Sequence, residues 1–157
     1  MATTARDIMQ SQVITLAPND PLSNVHRLFF EEEIHGAPVL DEAGRVLGIL
    51  TSMDLLRAAS DGHESAWGDS AYVADLLEFS GADWGNAPDG FIDRLRERVA
   101  SEFMTESVAC VDPNDSVAQV ARAIRSNRIH RVLVVEDGHL RGIISTFDLV
   151  GLLEKDD

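Results

Sequence analysis

The chain has 157 residues, 45% of them apolar and 25% charged, with a formal net charge of −14 at pH 7. That balance suits a folded protein about the size of one ordinary domain and argues against wholesale disorder. No apolar run approaches the roughly 18 residues of a membrane span, MATTARD lacks the apolar stretch of a secretory signal, and such acidity opposes a large nucleic-acid interface. A lone Cys110 allows neither an intramolecular disulfide nor a cysteine zinc site, so the expectation is a cytoplasmic protein without membrane or nucleic-acid partners.

In chain order, Val13 to Leu16 is a short strand candidate. Asp20 followed by Pro21 has the form of a helix N-cap with proline at the first helical position. Leu22, Val25, Leu28 and Phe29 then recur at helical spacing, with Glu31 to Glu33 at the outer end and Gly36 as the expected stop. Ala37 to Leu40 and Val46 to Leu50 read as a hairpin across DEAGR, and Thr51 as the cap of a closing helix. Residues 57–98 form a long helical insert: Ser70 to Phe79 and Asp89 to Val99 are helix candidates separated by the loop GADWGNAPDG. Trp67, Tyr72, Phe79, Trp84 and Phe91 can cover the protein's own core, form a dimer contact or receive a partner.

After the insert the plan repeats: Val108 to Val111, Asp115 as N-cap, then Val117, Val120, Ala121 and Ile124 on one helical face, then strands at Arg131 to Val135 and Leu140 to Ser145. The repetition is in register. Met9 and Met104, Pro18 and Pro113, and His35 and His130 are each 95 apart, whereas Gly48 and Gly142, Thr51 and Ser145, and Asp54 and Asp148 are each 94 apart. One residue is therefore missing from the second hairpin turn, where length changes are tolerated. The organisation expected is a first copy at 5–56, the insert at 57–98 and a second copy at 99–153.

Each copy ends in Gly, two apolar residues, Thr or Ser, two residues and Asp: Gly48 to Asp54 and Gly142 to Asp148. A strand ending in a hydroxyl residue at a helix N-terminus offers backbone N–H groups and a positive dipole end to phosphate. A carboxylate in the first helical turn can accept both hydroxyls of a cis-diol, so the pair suits a ribose-phosphate. The same letters also spell an acidic capping box that needs no ligand. The second copy, with five Arg against seven acids where the first has three against eight, is the better host for an anion.

These residues, with ARDIM and SEFM, VITLAPNDPL and VACVDPNDSV, IHGAPVLDEAGRVLGILTSMDLL and IHRVLVVEDGHLRGIISTFDLV, resemble a tandem pair of CBS (cystathionine β-synthase type) domains, a Bateman module. The resemblance covers about two thirds of the chain, all but the insert and the ends. It implies an α/β (α+β) fold of two βαββα repeats with pseudo-twofold symmetry. Two clefts would commonly take AMP, ADP, ATP or S-adenosylmethionine, with or without magnesium. Carried over by position, one cleft has Thr15, Ala37, Pro38, Thr51 and Asp54, and the other has Cys110, His130, Arg131, Ser145 and Asp148. Cys110 stands where the first copy has a hydroxyl, and Leu133 where it has Pro38. His35 and His130 also suit a structural role at the helix end, and Arg131 has two readings, a bidentate phosphate ligand or a surface ion pair with Glu136 or another acid.

No HExxH, P-loop, GxGxxG or paired cysteines occur, so neither catalytic nor metal-ligating residues are expected. The resulting expectation is a stand-alone regulatory module that binds an adenosine-containing ligand and signals to a protein partner, as a homodimer by family resemblance. The alternative is a non-catalytic dimeric scaffold with empty clefts that docks through the aromatic insert. A third reading is divalent-ion sensing by the acidic surface.

Overall fold

The computed structural model describes residues 2–60 and 90–155, with the side chain of Ser60 left aside. The aromatics Trp67, Tyr72, Phe79 and Trp84, and the helix expected over Ser70 to Phe79, lie outside the described residues. The elements are α1 (Ala5–Ile8), α2 (Leu22–Glu32), β1 (Gly36–Leu40), β2 (Val46–Thr51), α3 (Ser52–Ser60), α4 (Phe91–Arg96), α5 (Ala100–Phe103), β3 (Cys110–Val111), α6 (Val117–Asn127), β4 (Arg131–Glu136), β5 (His139–Ser145) and α7 (Thr146–Glu154). They form two compact units. One is built on the first copy (Thr15–Asp41 and Leu47–Glu106), the other on the second (Met1–Ile14, Glu42–Val46 and Ser107–Asp157).

Each unit draws its leading helix from the far side of the sequence. In the second-copy unit, the Ala5 and Arg6 amides donate to the carbonyls of Asp115 and Pro113 at 2.8 and 2.9 Å, and Gln10 pairs with Ile143 in both directions. In the first-copy unit the Ala100 and Ser101 amides donate to Asp20 and Pro18 at 3.0 and 2.9 Å, and Thr105 pairs with Ile49. Two glycines make this approach possible. A Cβ on Gly48 would stand 2.6 Å from the Thr105 carbonyl oxygen, and one on Gly142 would stand 2.7 Å from that of Gln10.

The first-copy unit holds the two-stranded sheet β1–β2. Its core joins Leu22, Val25 and Phe29 of α2 to Val39, Leu50 and Leu55, and also to Phe91 and Leu95 of α4. The end of the insert is thus part of the core of this unit. The expected strand at Val13 to Leu16 shrinks to a single parallel bridge, Leu16 to Val39. Pro38 has no N–H to carry the ladder further. In the second copy Leu133 stands in its place, and β3 extends to the pairs Cys110–Leu133 and Val111–Val134.

The second-copy unit has a three-stranded sheet in the order β3–β4–β5. Its core is Ala5, Val111, Val120, Ile124, Val132, Val134 and Ile144, while Ala121 of the expected stripe faces solvent. Asp137 (φ 53°) and Gly138 (φ 82°) make the tight two-residue turn between β4 and β5. This explains the missing residue relative to DEAGR.

Helix boundaries depart from expectation in a repeated way. Asp20 and Asp115 do not cap α2 and α6. Each carboxylate accepts a backbone N–H three residues earlier, Ala17 at 2.8 Å and Asp112 at 2.9 Å, closing the DPND-type turn. Pro21 and Ser116 are the cap positions, and Ser116 forms a capping box with Gln119. Gly36 does not end α2; it begins β1. Glu33 and Arg128 take the left-handed C-cap conformation at φ 54° and 53°.

His26 of α2 is 1% exposed and meets Phe91 edge-on, with ring centroids 5.4 Å apart. Loss of solvation lowers its pKa from 6.5 to about 4. Between those values the unfolded chain binds the proton and the folded one does not, so stability falls as pH drops through this window. The contribution is complete above pH 6.5, and the slope approaches about 1.4 kcal/mol per pH unit. Denaturant unfolding at pH 7, 5.5 and 4.5 checks it: His26→Leu will flatten the difference in stability between pH 7 and 4.5, and an unchanged slope would contradict this assignment.

Candidate ligand-binding site

Thr51 and Asp54 stand at the strand–helix junction of the first copy, and Arg131, Ser145 and Asp148 at that of the second, each set within one unit. In the second, β4 and β5 pair so that Arg131 lies opposite Ser145 and Leu133 opposite Ile143, with Cys110 across from Leu133 on the other side. Arg131 is therefore a neighbour of the hydroxyl that opens α7. It is exposed and makes no ion pair among the described residues. Glu136, the acid considered for it, pairs instead with Arg141 at 3.3 Å and with Arg6 at 3.7 Å.

The Ser145–Asp148 pair is a complete capping box. Asp148 Oδ2 accepts the Ser145 amide at 2.8 Å and its hydroxyl at 3.1 Å, while the Asp148 amide donates to Ser145 Oγ at 3.3 Å. The Thr146 amide donates to the His130 carbonyl at 2.9 Å. The helix terminus is consequently less available to phosphate than its sequence suggests, because two of its first three N–H groups are already bonded. What remains is the other carboxylate oxygen, Oδ1 of Asp148, which accepts the Gln10 side-chain amide at 3.2 Å. Gln10 is exposed, so a hydroxyl can displace its amide by exchange of one neutral donor for another.

The first copy repeats the cap and differs beyond it. Asp54 Oδ2 accepts the Thr51 amide at 2.8 Å and hydroxyl at 3.1 Å, and the Ser52 amide donates to the His35 carbonyl at 2.9 Å. The backbone carbonyls of His35 and His130 thus do the same work, and it asks nothing of the imidazoles. Asp54 is buried, 2% exposed, with Oδ1 paired to the guanidinium of Arg57. Gly36 sits beside Leu50 and Thr51, so no side chain stands where Arg131 does. Ala37 and Pro38 are buried in β1, and Thr15 is exposed.

Cys110 is exposed, with Sγ 3.4 Å from the Val108 carbonyl oxygen; desolvation around the sulfur raises the thiol pKa, which opposes a thiolate role. Among the described residues no group of three or more His, Cys, Asp or Glu is placed to hold a metal ion, and no helix is long and apolar enough to cross a membrane. The sequence reading missed Gln10 and Arg57. Gln10 aligns with Thr105 at the 95-residue offset, and Arg57 aligns with Gly151 at the 94-residue offset, so both asymmetries were present in the alignment of the copies.

Two junctions of the same design, each a strand closed by a hydroxyl–carboxylate cap, define a tandem-repeat protein of the CBS type. The chain belongs to the CBS domain family, whose model matches residues 5–61 and 99–155. It is 25% identical over 152 residues to the uncharacterized protein MJ1225 of Methanocaldococcus jannaschii, covering 96% of this chain and 43% of that one. To the uncharacterized protein MJ1426 of the same organism it is 29% identical over 152 residues, covering 94% of this chain and 89% of that one. It thus spans less than half of the first relative and most of the second. Among solved structures, the CBS domain of a CBS domain-containing membrane protein from Sphaerobacter thermophilus superposes with a TM-score of 0.67 at 31% identity, over 96% of this chain and 88% of that one. CBSX2 in complex with AMP gives 0.70 at 23% identity, over 97% of each chain. The CBS domain pair of protein MJ0100, in complex with 5-methylthioadenosine and S-adenosyl-L-methionine, gives 0.65 at 22% identity over the whole of both chains.

Proposed function

We propose that this protein is a non-catalytic regulatory module whose second copy binds an adenosine-containing ligand, AMP, ADP, ATP or S-adenosylmethionine, and passes its occupancy to a protein partner. The observation that carries the reading is the state of Asp148: a partly exposed carboxylate with one oxygen fixed by the cap and the other held, among the described residues, by the replaceable Gln10 amide. Such a group is oriented in advance for a ribose diol. Arg131, exposed and opposite Ser145, supplies the charge for a phosphate. Fold neighbours that carry AMP and S-adenosylmethionine support the ligand class. Signalling needs only that the ligand bind one conformation better than another.

A scaffold role is favoured by a different observation. Phe147, Val150 and Leu153 of α7 are 86%, 54% and 70% exposed. We assign this face to self-association as a homodimer. A scaffold with empty sites gains nothing from nucleotide, whereas a binder at a 100-fold excess over Kd gains about 2.7 kcal/mol. Thermal-shift titrations with the four ligands, with and without magnesium, separate them. The expected result is a concentration-dependent rise for at least one ligand, abolished in Asp148→Ala. Arg131→Ala will weaken AMP about tenfold or more while leaving S-adenosylmethionine, which has no phosphate, nearly unchanged. Loss of binding in Asp54→Ala with retention in Asp148→Ala would reverse the assignment of copies.

A further inference from the structure

We infer that Arg57 latches the first copy shut, so that each chain offers one open diol site and one closed by its own guanidinium. This rests on the ligand reading above and adds what decides between the two copies. The caps share two bonds: in each copy one carboxylate oxygen accepts the amide and hydroxyl of the Thr or Ser three residues earlier. The difference lies at the second oxygen. In the first copy Arg57, one turn along α3, places its guanidinium on Asp54 Oδ1, and the Asp54 side chain is left 3% exposed while that of Arg57 is 62% exposed. A diol must displace a charge-assisted bond there, and the displaced cation leaves a buried carboxylate behind.

In the second copy the position one turn after the carboxylate is Gly151, and a Cβ built on it meets nothing within 4 Å. No side chain from that position competes for Asp148. The partner of Asp148 comes instead from Gln10, a neutral and exposed amide. One position therefore sets whether a copy is open: arginine closes it and glycine leaves it clear.

Calorimetric titration of the full chain with AMP and with S-adenosylmethionine reads the number of sites directly. The wild type is expected to bind one ligand per chain. Arg57→Ala will raise this to two, and adding Asp54→Ala to that variant will return it to one. Gly151→Arg will reduce it to none; because it places a better helix former in open space, the variant remains folded. Two sites in the wild type, or one site in Arg57→Ala, would overturn the latch and leave the ligand reading standing. Binding by Arg57→Ala but not by the wild type would uphold the latch and overturn the assignment to the second copy. No binding by any variant would overturn both.

Discussion

Gly142→Ala will destabilise the protein by about 2–4 kcal/mol, although it adds a single methyl group. The new Cβ would lie 2.7 Å from the Gln10 carbonyl oxygen, 2.8 Å from Met9 Sδ and 3.0 Å from Met9 Cγ. The methionine can turn aside. The carbonyl cannot, because Gln10 and Ile143 exchange backbone hydrogen bonds at 2.9 and 3.0 Å in the same place. Relief of the clash therefore means loss of that bridge and of the docking of α1, whose Ala5 is fully buried. Gly48→Ala should behave alike through Thr105 at 2.6 Å. Gly151→Ala, which meets nothing and lies within a helix, should stabilise by about 0.5–1 kcal/mol. Denaturant unfolding of the three variants is the check. Equal effects at Gly142 and Gly151 would contradict the docking of the leading segment against β5.

Phe91→Ala will cost about 3–5 kcal/mol, the range for removal of a buried aromatic side chain. Phe91 is fully buried between α2 and α3, touches His26 edge-on and shares the first-copy core with Leu55 and Leu95. Phe147→Ala, at a residue 86% exposed, should change monomer stability by less than about 0.5 kcal/mol. The contrast separates two uses of aromatic side chains in one chain: Phe91 builds a core, while Phe147 offers surface. A small loss at Phe91 would mean that α4 is not part of the folding unit.

Much of the fold was legible because duplication displays one pattern twice. The stripes at Leu22, Val25 and Phe29 and at Val120 and Ile124, the hairpins and the closing helices followed from periodicity and turn residues. Local geometry resisted where one residue type can serve two ends. Asp20 and Asp115 look like helix caps but close the preceding turn, because each carboxylate accepts a backbone N–H three residues earlier. The exchange of the leading helices could not be read from propensity, since it is a choice between equivalent long-range partners. Its trace in sequence is the pair Gly48 and Gly142, where only hydrogen fits.

The two strand–helix junctions were legible in the sequence, and the bonds already made within each were not. The hydroxyl–carboxylate spacing pointed to Thr51, Asp54, Ser145 and Asp148, but much of that chemistry is spent on the caps themselves. The second carboxylate oxygen distinguishes the two caps, and its neighbours Arg57 and Gln10 come from outside the motif.

The most direct test of the account is amide chemical-shift mapping of the full chain, titrated in turn with AMP, ADP, ATP and S-adenosylmethionine. The predicted result is saturable shifts for at least one ligand, centred on Gln10, Cys110, Arg131 and Ser145 to Asp148. Shifts centred on Thr51 to Asp54, or none with any of the four, would contradict it.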